Sequence, residues 1–223
     1  MKPRTRRRLL LIGGFTLYFG LLWSLWYTPL VYPLKVFVVL LHEVSHGVIA
    51  LATGGSVEAI VLDPNEGGAC YCPGGNTFLT LSAGYLGSLG WGVLFLLAAD
   101  SRRVRARALI GLTGGVILAL TLLYLRGWFG VVYGLLFGTG LVASARLFSE
   151  AFNRAVVRVL GMTSALYVLL DIRSDILQRP HLRSDAAMLA DLTGVPTLLW
   201  GLIWMAVALF VVGWLLERTW RRA

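Results

Sequence analysis

Leu40-Leu41-His42-Glu43-Val44-Ser45-His46-Gly47 lies within the run Val36–Thr53, which holds no other charged residue. The run is close to the roughly 20 apolar residues needed to cross a bilayer. Residues four apart share one face of a helix, so both imidazoles reach a single metal ion. Glu43 stands one residue along, where a carboxylate meets a water at the ion's open position. In a soluble helix this H-E-x-x-H spacing costs little and arises by chance. Inside an apolar helix each such group carries a penalty of about 2–3 kcal/mol or more. A bound cation offsets that penalty, so the stretch predicts a membrane helix and a metal site together.

Composition agrees with the membrane. Hydrophobic residues make up 57% of the 223 and charged residues 14%, against about 45–50% and 25% in soluble domains. Mean hydropathy is +0.76. The formal charge of +9 sits in short clusters between apolar runs: Lys2 to Arg8, Arg102 to Arg107, and Arg218 to Arg222. Basic residues anchor helix ends at headgroups in this way. No basic stripe with interleaved aromatics is present, which argues against nucleic acid as a partner.

Uncharged runs outward from the motif are Leu9–Val31, Thr77–Ala99, Ala108–Leu125, Gly127–Ala145 and Val195–Leu216, with a shorter one from Val159 to Leu170. The first is too long for a signal-peptide core and has no small-residue cleavage site, so it reads as a retained span. The run from Val159 reaches a useful length only by continuing through Asp171, Arg173 and Asp175. The expectation is an all-α polytopic protein of six to seven transmembrane helices, forming one membrane-embedded domain over 1–223. Lys and Arg divide nine to eleven between the two sides of a seven-span chain. The first helix therefore decides the orientation, with the N-terminus in the cytoplasm.

The segment 54–76 reads as a β-hairpin. Ser56–Leu62 is rich in β-branched residues, Asp63–Gly67 is a turn cluster, and Gly68–Cys72 is the return strand. The segment 178–194 reads as a surface amphipathic stretch, with Ser184 as N-cap and Gly194 as stop. Cys70 and Cys72 read as two thiols on one strand face, giving no disulfide framework and an incomplete metal site. The Gly84, Ser88, Gly92 and Gly130, Gly134, Gly138 series, with the Gly111 and Gly115 pair, read as close helix packing.

On these residues the chain resembles the site-2 protease-type intramembrane zinc metallopeptidases, metallopeptidase family fifty, in their compact bacterial branch. The matching features are His42-Glu43-x-x-His46, the hairpin with Pro64-Asn65-Glu66-Gly67-Gly68, and Ser82-Ala83-Gly84-Tyr85-Leu86-Gly87-Ser88. Asp171-Ile172-Arg173-Ser174-Asp175 and Ser184-Asp185-Ala186 follow, leading to Trp200 and Trp204. The resemblance implies one Zn²⁺ per chain, a multi-pass location in a bacterial cytoplasmic membrane, and membrane-protein or transmembrane-helix substrates within the bilayer. It also implies a third ligand, an Asp from a later membrane helix. The family's Leu-Asp-Gly motif is absent, and Leu170-Asp171-Ile172 is the nearest equivalent. No PDZ-like insertion is present, so substrates are not selected by a soluble regulatory domain.

Depth decides between the candidates for that ligand. His46 lies about 16 Å along its run from Val36, and Asp171 about 19 Å along its own from Val159, at 1.5 Å per residue. Asp171 is therefore the expected ligand, with Asp175 one turn further as the alternative and His181 in the polar loop behind both. The predicted activity is peptide-bond hydrolysis by a zinc metalloendopeptidase with Glu43 as general base. The hairpin offers an unfolding substrate a strand to pair with, or else covers the site from solvent. A catalytically silent metal-binding scaffold or chaperone is the competing reading, and an ion or metal transporter a third.

Overall fold

The computed structural model describes residues 3–26, 28–65, 67–173 and 184–222. Glu66, Asp175 and His181 lie outside the described residues. Among the described residues, eight helices and three short strands follow one another as α1 (Pro3–Ser24), α2 (Tyr32–Ala52), β1 (Ala59–Asp63), β2 (Gly67–Tyr71), α3 (Thr77–Asp100), α4 (Ala106–Leu123), β3 (Leu125–Arg126), α5 (Trp128–Leu147), α6 (Glu150–Arg173), α7 (Asp185–Thr193) and α8 (Thr197–Arg222). Six of them, α2 to α6 and α8, are long and apolar enough to cross a membrane. The chain is a mostly helical, multi-pass integral membrane protein with a small sheet after its second helix.

α2 is the axis of the bundle. Two thirds (67%) of its span is buried within the protein, against 22% for α8. Val36, Phe37, Val38 and Leu40 are closed off on every side, because α3, α6 and the sheet surround the helix. Lipid tails are as apolar as Leu, so close packing rather than hydrophobicity holds such helices together. At the crossing of α3 and α6 a Cβ on Gly92 would sit 2.7 Å from the Ala165 amide; only glycine allows that approach. Ser164 completes the contact by donating to the Ser88 carbonyl at 2.7 Å.

The hairpin forms as its turn residues dictate. β1 and β2 pair antiparallel, Ala59 opposite Tyr71 and Asp63 opposite Gly67. The Asp63 carboxylate accepts the Asn65 amide at 2.7 Å, fixing the turn. β3 joins β1 in parallel, giving the order β2-β1-β3. Cys70 and Cys72, read as separate thiols, are joined by a disulfide. Alternate residues of a strand share a face, and their Cα atoms are 5.5 Å apart, within bridging range.

α6 departs from the sequence expectation. It begins at Glu150 rather than Val159, because its early polar residues tie helix ends together. The Glu150 carboxylate accepts the Ala106 and Arg107 amides, at 2.6 and 3.1 Å, at the start of α4; these are donors a helix N-terminus leaves unpaired. Arg154 donates to the carbonyls of Ala99, Ser101 and Val104 where α3 ends. Fully buried Asn153 bonds Ser144 and the carbonyls beyond it. Span length is thus gained at the start of α6, and Asp171 falls third from its end.

Candidate metal centre

His42, Glu43 and His46 stand midway along α2, their ligand-type atoms within 4.8 Å of one another. His46 is oriented by α3: its Nδ1 lies 2.7 Å from the Thr80 carbonyl oxygen. A carbonyl only accepts, so Nδ1 carries the proton and Nε2 is left to face the centre. Tyr85 sets its ring edge-on to His42, centroids 5.0 Å apart and planes at 89°. Glu43 is held on the opposite flank of α2 by β2. It accepts the Cys70 backbone amide, and Gly68 packs so close that a Cβ there would lie 2.7 Å from Glu43 Oε1.

The residue between the imidazoles is Asp185, not Asp171. Asp185 Oδ2 is 2.9 Å from His42 Nε2 and 3.3 Å from His46 Nε2. Ser184 caps α7 by accepting the Ala187 amide, which puts Asp185 in the first helical position. Asp185, Ala186 and Leu189 form the buried face of α7, and Ala186 and Leu189 pack with Tyr85 and Trp204. That docking sets α7 against α3 and α8 and brings the Asp185 carboxylate to the imidazoles of α2. Asp171 is half-buried in the wall of the same cavity, within electrostatic reach of His42. The expectation for it came from counting depth from Val159, and the earlier start of α6 removes the basis of the count. Nothing in that count pointed to Asp185. The signal available was its register: an acid sharing a helix face with Leu189, four residues on, is not on a solvated face.

Gly84 lets α3 pass beside these atoms. A Cβ on Gly84 would clash with His42 Nε2 and lie 2.6 Å from Asp185 Oδ2. The small-residue series of α3 thus has two uses, helix packing at Gly92 and room for the centre at Gly84.

The donor set fits a zinc ion. Asp185 Oδ2 is buried and has no hydrogen-bond partner among the described residues, although two imidazole nitrogens lie close. A carboxylate oxygen this close to two imidazole nitrogens is an arrangement that a shared cation would satisfy. Ligands about 2.0–2.1 Å from one tetrahedral ion stand roughly 3.3 Å apart, which matches the His46 to Asp185 separation. Two imidazoles and a carboxylate also leave one position open, as catalytic zinc sites do. Burial works against a charge on Asp185, but the two imidazoles outweigh it and hold the carboxyl below the usual carboxylate range. The centre opens into a cavity of about 800 Å³, walled by β2, the start of α3 and α7.

No curated protein and no solved structure matches the chain. The model of the Peptidase M50B-like family matches it over residues 15–215, nearly its whole length. That stretch includes every residue of the centre, and the chain belongs to the Peptidase M50B-like family.

Proposed function

We propose that the protein is an intramembrane zinc metalloendopeptidase, with His42, His46 and Asp185 as ligands and Glu43 as general base. The observation that carries this reading is the approach of the Asp185 carboxylate to both imidazoles of an H-E-x-x-H helix, beside a carboxylate held apart by β2. When bound, zinc acidifies a water towards a pKa of about 7 and polarises the substrate carbonyl. Glu43 takes the proton of that water as its oxygen adds to the peptide carbon. The same carboxyl then returns the proton to the departing amine nitrogen as the C–N bond breaks. The Thr80 carbonyl keeps His46 in the tautomer that leaves Nε2 unprotonated.

The substrate is a membrane-protein segment. A helix must give up its internal hydrogen bonds before a peptide carbonyl is open to attack. β2 is an edge strand and walls the cavity, so an unwound segment pairs with its free edge. The test is cleavage of a panel of transmembrane-helix substrates in proteoliposomes, with metal analysis of the same samples. Glu43→Gln should retain one zinc per chain and lose about 10² or more in rate. Equal cleavage by the variant would refute the mechanism; zinc binding with no cleavage by either protein would favour the silent scaffold.

A further inference from the structure

Thr80 carries two groups that face in different directions. Thr80 lines the cavity; its carbonyl accepts from His46, while its hydroxyl is buried and has no hydrogen-bond partner among the described residues. A helical hydroxyl ordinarily bonds the carbonyl four residues back. Thr53, Thr113, Thr121, Thr163, Thr193 and Thr219 all do so here. For Thr80 that carbonyl belongs to Asn76, which accepts the Thr80 amide but not its hydroxyl. A buried hydroxyl left without a partner carries an uncompensated desolvation penalty, which is removed when a ligand supplies the partner.

We infer that the Thr80 hydroxyl donates a hydrogen bond to the scissile carbonyl oxygen as it takes on negative charge during hydrolysis. The inference rests on the protease reading above. Glu43 is fixed on the β2 wall and Thr80 on the α3 wall, so a peptide group between them meets the base on one side and the donor on the other. The donor is held by the helix that orients His46, so it is aligned before charge develops, the condition under which such donors are effective. The hydroxyl keeps its proton throughout, and no bond to Thr80 forms or breaks.

The experiment compares wild-type protein with Thr80→Val, which keeps the branched shape and the backbone carbonyl, and with Thr80→Ser, which keeps the hydroxyl. Zinc content and thermal midpoint are recorded for each. Zinc-loaded protein is titrated calorimetrically with a phosphonamidate peptide, a tetrahedral anion, and with the corresponding unreactive amide peptide. Thr80→Val should bind the phosphonamidate about tenfold or more weakly and the amide peptide unchanged, while Thr80→Ser retains both affinities. In cleavage, Thr80→Val should lose about 10² in kcat at constant KM. Unchanged phosphonamidate affinity in Thr80→Val overturns the inference, and so does a wild-type protein that does not bind the phosphonamidate at all. Should Thr80→Val lose zinc, the smaller Thr80→Ala carries the same comparison. Selective phosphonamidate binding without cleavage by wild-type protein would leave the donor in place and refute the protease reading instead.

Discussion

Gly84 lies against His42 so closely that a methyl group on it would clash with the imidazole Nε2. The backbone of α3 is thereby part of the centre's shape, although it offers no ligand. Gly84→Ala should fold, since Ala favours a helix over Gly by up to about 1 kcal/mol. It should nonetheless lose stoichiometric zinc, because His42 and the Asp185 carboxylate must both move. Circular dichroism paired with metal analysis reads the two effects separately; zinc at wild-type stoichiometry would show that the ring has room to shift.

Asp185 and Asp171 make opposite predictions for the third ligand. Asp185→Ala should weaken zinc affinity by about 10² or more, the loss of a direct ligand. Asp171→Ala should weaken it by no more than roughly tenfold, as an outlying charge in the cavity wall. Competition against a zinc-chelating dye measures both, and the reverse order would restore the expectation from helix depth.

Gly68→Ala separates the base from the metal. Its Cβ would lie 2.7 Å from Glu43 Oε1 and 2.8 Å from its Cγ, so the carboxylate is pushed aside while the imidazoles are untouched. Zinc content should stay at one per chain while kcat falls by about tenfold or more, since displacements near 1 Å cost up to about 10². Single-turnover cleavage with parallel metal analysis is the check.

Asn153 offers a test of stability alone. It is fully buried and bonds Ser144 Oγ, together with the carbonyls of Ser144 and Phe148. Asn153→Ala should lower stability by about 1–3 kcal/mol, the cost of leaving buried groups unpaired, with zinc affinity unchanged. A denaturation midpoint in mixed micelles gives the answer.

The sequence was most legible where local chemistry is strong. The turn at Asp63–Gly67 and the cap and stop of α7 at Ser184 and Gly194 form where their side chains and backbone demand. β3 was invisible because Leu125 and Arg126 are only two residues, too few to show a period. The start of α6 was misread because charge was taken as the edge of a span, whereas Glu150 and Arg154 are spent on the ends of neighbouring helices. Asp185, although part of a matching segment, was not read as a candidate ligand, for a related reason. An acid at the first position of an amphipathic helix ordinarily favours the helix dipole, and nothing local distinguishes that use from ligation across the fold.

The centre draws its groups from elements of unequal anchorage. α2 is enclosed by the bundle, whereas Asp185 belongs to a nine-residue helix leading into α8, the least buried of the spans. An ion shared by the two, as proposed, would act as a rivet between the deepest element and the outermost one. Its binding free energy would then count towards holding α7 and α8 in place. On the proposed reading, removing zinc would loosen the architecture at the same stroke that silences the chemistry.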